Sequence, residues 1–281
     1  SLLPRLEKSM SLGLLVRPRE NVYVLGTVHI GSESADEVEM LIEALRPDAI
    51  VLEMPPSRVE RIRFQNNRKV DSETEPVISQ KKSNIQSLLR ALPVLAERGW
   101  KTGGAGGVIF AVGMLGGSIL KKALSSNEES TKLPRKDEFA AAISAGDAVS
   151  ATIFAADFEI DDIVSGVSRS LSLNNWLSLW IAVIEQELGM RSKDPIRRMK
   201  DEAIEAWEER RRNVSTARAS RKHGEAMAPE LNRVLVEERD DRFSETCLNI
   251  LESHDDVINP LTVVCIVGLV HLDGVAQRLQ L

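Results

Sequence analysis

The sequence predicts an α/β fold: a mainly parallel central sheet with flanking helices and a helical cap. Three observations carry that expectation. Short β-branched runs at Val22–Leu25, Ala49–Leu52, Ala151–Ala156 and Leu261–Val267 are apolar but for Thr152 and Thr262, as strands covered on both faces are. Helical periodicity separates them, as over Ser34 to Leu45, where Val38, Leu41, Ile42 and Leu45 share one face. The first and last of these runs pass straight into glycine, which permits a sharp exit from a strand.

Taken in order, Leu12 to Val16 reads as an antiparallel edge strand, turned by Arg17-Pro18-Arg19-Glu20-Asn21 into the first buried strand. Helices are expected at 85–98, 137–149, 171–188, 195–212 and 229–251, and so many in the middle of the chain suggest a cap over the sheet. Residues 70–76 and 125–132 are polar and turn-rich, and read as linkers. With 281 residues the chain is close to the ceiling for one domain, so 1–281 is read as a single domain. It carries a helical insertion around 60–135 and a helix-rich region over 160–255. The opening residues from Ser1 show no charged stretch leading into an apolar run and cleavage site, and the chain is read as processed or excised.

Composition removes several classes. Only four histidines and two cysteines, Cys247 and Cys265, leave no material for a disulfide scaffold, a multi-cysteine zinc module or an iron–sulfur cluster. Basic and acidic residues, 36 and 42, are intermixed and aromatics are few, so nucleic acid is not an expected partner. The arginines between Arg191 and Lys222 could meet an anionic partner, but interleaved glutamates favour a solvated helix face. Residues 102–120 are uncharged and long enough to span a membrane, and their glycines equally suit a tightly packed helix or a hinge. No G-x-S-x-G, Walker-type loop, H-E-x-x-H or G-x-G-x-x-G after a strand is present.

The residues that could carry chemistry stand at strand ends. Gly26-Thr27-Val28-His29 and Gly268-Leu269-Val270-His271 repeat one pattern and contain half of the histidines. In a parallel sheet the carboxyl edge is where side chains converge on a ligand, so neighbouring strands would point His29 and His271 into one pocket. Glu53 follows the third strand at the equivalent place, and Met54-Pro55-Pro56 stops that strand. Two imidazoles and a carboxylate suit zinc, manganese, cobalt or iron with open positions for water. They equally suit metal-free chemistry, one histidine acting as base with Glu53 orienting it. Asp157 is a further edge candidate and also an ordinary turn or capping residue. In the run Glu237 to Arg242, Arg239 could face solvent, clamp a substrate carboxylate or position Glu53. His223 and His254 have polar surroundings and read as surface residues.

Gly26-Thr27-Val28-His29, Pro47-Asp48, Val51-Leu52-Glu53, Arg58, Glu138-Phe139 with Ala142, Glu238-Arg239-Asp240 and Gly268-Leu269-Val270-His271-Leu272-Asp273-Gly274 together resemble the TraB/PrgY family, related to the Tiki proteases. The resemblance runs over almost the whole chain in order. It implies an α/β domain centred on His29, His271 and Glu53, with Arg58, Arg239 and Asp240 in support. It also implies an organellar or membrane-associated setting. In the Tiki branch such a centre is associated with metal-dependent peptide cleavage, and in the TraB/PrgY branch with shutdown of a peptide pheromone. One departure stands out: Ala156-Asp157-Phe158 lies where the family tends to show Gly-Asp-Arg. Two functions follow as expectations. One is a metal-dependent hydrolase of peptides, with His29, His271 and Glu53 as ligands of a divalent ion (Mn, Co or Zn), and Glu53, Arg239 and Asp240 in catalysis. The other is a non-catalytic regulatory or binding protein at an organelle membrane, engaging its partner through 102–120 or the cap.

Overall fold

The computed structural model describes residues 3–28, 33–71, 137–170, 202–254 and 260–280, with single positions and short pieces of 93–108 and 175–199. Five strands form one sheet: β1 (Leu15–Arg19), β2 (Val22–Thr27), β3 (Ala49–Leu52), β4 (Thr152–Ala155) and β5 (Val263–Gly268). Their order is β1-β2-β5-β3-β4, antiparallel only between β1 and β2. The fold is therefore α/β, with the expected antiparallel edge strand shifted to 15–19. The shift has a local cause: residues 3–11 form a helix, α1 (Leu3–Ser11), and Leu14 then accepts from the Gly26 amide at 2.8 Å.

The last strand of the chain lies in the middle of the sheet. Val24 and Val51 flank Cys265, and Leu25 and Leu52 flank Ile266, so β2, β5 and β3 end at nearly one level. Side chains alternate along each strand and build two cores. On one face Val24, Val51, Cys265 and Val267 pack with Phe243, Cys247, Leu272 and Val275, from α9 (Glu238–Glu252) and α10 (Leu272–Gln280). On the other, Leu25, Ile50, Leu52 and Ile266 pack with Val38, Leu41, Phe139 and Ile143, from α2 (Glu33–Leu45) and α4 (Glu138–Val149). All six residues of β5 are buried, which explains why its sequence is apolar without alternation.

Helix ends follow local chemistry. Asp137 caps α4 by accepting from the Phe139 and Ala140 amides at 3.0 and 3.3 Å, and Asn213 caps α7 (Val214–Met227) in the same way. The remaining helices are α3 (Pro56–Asp71), α5 (Ile160–Ser170), α6 (Ile204–Arg211) and α8 (Pro229–Asn232). The helix expected at 195–212 is regular only from Ile204. The one expected at 229–251 is interrupted by a π-helical turn over Arg233–Glu237, between α8 and α9. A third cluster joins Val167 of α5 to Val234 of that turn. The helices expected at 85–98 and 171–188 and the linkers at 70–76 and 125–132 lie outside the described residues, apart from a few positions. So does 102–120, except at 104 and 106–108. Among the described residues no helix is long and apolar enough to cross a membrane.

Candidate active site

The carboxyl edge of β5, β3 and β4 gathers five charged or polar side chains. Glu53 directly follows Leu52 at the end of β3, and its amide donates to the Ile266 carbonyl at 3.1 Å. That placement brings its carboxylate to the end of β5, where Oε2 accepts from the Gly268 amide. Asp157, two residues beyond β4, is held by its amide on the Met54 carbonyl at 3.2 Å. Arg239 reaches in from the first turn of α9 and bridges both acids. Its Nε and Nη2 donate to Asp157 Oδ1 and Oδ2 at 2.9 and 2.8 Å, a two-pronged pair, and Nη2 also meets Glu53 Oε1.

His271 completes the group, and the G-x-x-H spacing explains how. Its amide donates to the Gly268 carbonyl at 2.8 Å, closing a four-residue turn that returns the imidazole to the strand end. Nδ1 lies 2.7 Å from Asp240 Oδ1, so Nδ1–H donates to that carboxylate. Nε2 then faces Glu53 Oε1 at 3.4 Å and Arg239 Nη1 at 3.2 Å. The ring stands edge-on to Phe243, with centroids 5.4 Å apart. Side-chain exposure is 2% for His271, 0% for Asp240 and 8% for Glu53, so these charges interact with little screening by water.

Burial and charge act against each other here. Burial opposes ionisation of Glu53, but the charges of His271 and Arg239 and the Gly268 amide outweigh it and hold the carboxyl far below its usual range. Burial also opposes a charged His271, yet Glu53 and the hydrogen bond to Asp240 raise its pKa above the ordinary value. Behind Asp240, Arg221 Nη1 lies 2.8 Å from Oδ2 and donates to the Val270 carbonyl at 3.1 Å. A Cβ on Gly274 would overlap Asp240 Oδ2, so only glycine permits that carboxylate to sit where it does.

Of the residues expected from sequence, Glu53, His271, Arg239, Asp240 and Asp157 come together. Arg58 does not: it pairs with Asp137 at 3.1 Å and lies over the Phe139 ring, about four-tenths exposed. His29 lies outside the described residues. The two G-x-x-H segments are also not equivalent in the sheet. Thr27, not Gly26, pairs with Gly268, and Gly26 is still inside its strand. Its glycine serves close packing, since a Cβ there would meet Leu269 Cδ1 at 2.6 Å. Among the described residues, four arginines of 191–222 are paired within the protein: Arg210 with Glu202, Arg212 with Glu33 and Glu37, Arg218 with Asp273, and Arg221 with Asp240. Arg221, Phe243 and Gly274 were not expected at the site.

The donor set fits a divalent ion in part. Two ligands of one tetrahedral ion at 2.0–2.2 Å stand about 3.4 Å apart, and Glu53 Oε1 and His271 Nε2 have that separation. An imidazole whose other nitrogen is tied to a carboxylate is the usual form of a metal-bound histidine. Among the described residues no group of three or more such side chains is arranged to hold an ion. A cleft of about 440 Å³ lies at the opposite edge of the sheet, lined by Arg46, Asp48, Ser150 and Thr152, and holds none of these residues.

Fold and site together define a class: an α/β protein with a buried carboxylate–guanidinium–imidazole network at the carboxyl edge of its sheet. Neither a known protein family nor a curated protein matches the chain.

Proposed function

We propose that this chain is a hydrolase of the TraB/PrgY type acting on peptides, with Glu53 and His271 as its reacting edge. The observation that supports it is the pairing of His271 Nε2 with Glu53 Oε1 at 3.4 Å while Nδ1 is fixed on Asp240. That pairing sets one tautomer and leaves Nε2 to exchange a proton with a substrate or water. Arg239 fixes the Glu53 carboxylate, and Asp157 fixes Arg239. A divalent ion (Mn, Co or Zn) would be held by Glu53 and His271 with His29 as the third ligand, and when bound it would polarise a peptide carbonyl or acidify a water.

Purified protein incubated with a peptide library, with and without added Mn, Co or Zn, tests this reading. Cleavage that falls at least a hundredfold in His271→Ala and in Glu53→Gln is the expected result, on the scale of lost acid–base catalysis. Equal product from wild type and both variants, or none from any, rejects it.

A second reading, a non-catalytic regulatory or binding protein at an organelle membrane, is favoured by one observation. Every guanidinium nitrogen of Arg239 is taken by the protein, on Asp157, Glu53, the Leu235 carbonyl and His271, as in a structural ion-pair network. On that reading His271→Ala leaves the phenotype intact, while deletion of 102–120 abolishes it together with co-flotation on lipid vesicles.

A further inference from the structure

We propose that Arg242 and Phe158 form a carboxylate-recognising subsite beside the Glu53–His271 edge, selecting peptides that present a carboxylate. The inference deepens the hydrolase reading and takes its substrate class, peptides, from it. Arg239 cannot fill the role of substrate clamp, because its guanidinium is used up within the protein. Arg242 stands three residues further along α9, on the same helix face. Its Nε donates to the Ala156 carbonyl at 2.8 Å, one residue before the aspartate that holds Arg239. Its guanidinium lies over the Phe158 ring, 4.4 Å from the centroid.

Those two contacts fix the plane of the guanidinium and leave Nη1 and Nη2 with no acceptor among the described residues. The other arginines nearest the site, Arg239, Arg221 and Arg278, all face carboxylates. Arg242 has a backbone carbonyl and an aromatic face instead, so no carboxylate among the described residues neutralises its charge. An oriented guanidinium with both terminal nitrogens unoccupied, half-buried at the edge of a reactive centre, matches the planar, two-oxygen geometry of a carboxylate. Phe158 is half-buried and acts as the platform.

The ligand carboxylate could be a peptide C-terminus or an acidic side chain. The probes are three N-acetylated tetrapeptides of otherwise equal composition: a free C-terminal acid, its C-terminal amide, and an amide containing one aspartate. Binding to the full chain is measured by titration calorimetry and cleavage by mass spectrometry. Wild type is expected to bind one or both carboxylate-bearing peptides about tenfold more tightly than the neutral amide. Arg242→Gln is expected to remove the preference, Arg242→Lys to restore part of it, and Phe158→Leu to reduce it severalfold, all with wild-type circular dichroism.

A preference for the free acid alone assigns a C-terminal carboxylate, and for the aspartyl amide alone a side chain; either supports the subsite. No preference in wild type, no binding of any probe, or an undiminished preference in folded Arg242→Gln and Phe158→Leu overturns it. Cleavage without carboxylate preference rejects the subsite and keeps the hydrolase. Selective binding without cleavage of any peptide keeps the subsite and rejects the hydrolase.

Discussion

His271 is held in a pocket where its two carboxylate neighbours outweigh the cost of burying its charge, and the sign of its response to pH follows. A group whose folded pKa is raised stabilises the fold fully below its ordinary value, here 6.5, and loses that contribution as pH rises through the folded value. Glu53 is the opposite case: its contribution is present above 4.5 and is lost as pH falls toward its much lower folded value. In metal-free buffer the pair is therefore at full strength from about pH 4.5 to 6.5. Urea midpoints measured across pH 4 to 9 should show wild type losing stability above that window relative to His271→Gln; parallel curves would refute the assignment. Asp240→Asn should act through the tautomer, since an amide can offer Nδ1 a donor and leave Nε2 protonated. Activity should fall by more than tenfold with the fold intact, read from kcat and circular dichroism. Glu53, Asp157 and His271 were legible because strand ends announce themselves as apolar runs stopping at a polar residue. Arg221 and Gly274 carry no such mark: one is a helix-surface arginine among many, and the other matters only because Asp240 is folded against it.

At the scale of elements, the two G-x-x-H segments show how one pattern can serve two purposes. In Gly268–His271 the spacing closes a turn after the strand, whereas Gly26 lies within β2 and gives Leu269 and Leu272 room to pack. Gly26→Ala should therefore cost about 1–3 kcal/mol by overpacking. It should also disturb the His271 turn, because Leu269, the residue pressed, lies inside it. Urea unfolding and the His271 ring resonances check both effects, and an unchanged ring environment would separate the two elements. The π-helical turn over 233–237 escaped the sequence because no residue type compels it. It ends two residues before Arg239, and such turns are frequent at functional sites.

For the whole molecule, strand order has the largest consequence. The sheet and its parallel direction could be read from buried apolar runs and the helical periodicity between them; the order β1-β2-β5-β3-β4 could not, because sequence does not say which strands are neighbours. Placing β5 between β2 and β3 makes the last strand the one that joins the two halves. Five of its buried residues, Val263 to Val267, supply part of both cores, and α10 adds Leu272, Val275 and Leu279. Without it, β2 and β3 would each expose an apolar edge with unpaired backbone groups. A chain ending at residue 254 is therefore expected to show no cooperative urea transition. A separate peptide covering 260–281 should restore that transition together with the Glu53–Gly268 contact. A cooperative transition in the truncated chain alone would show that the remaining elements fold independently, and the site would then be an addition to a finished scaffold. The opposite outcome ties site and stability to one event, since the strand that completes the sheet also delivers Gly268 and His271 to Glu53.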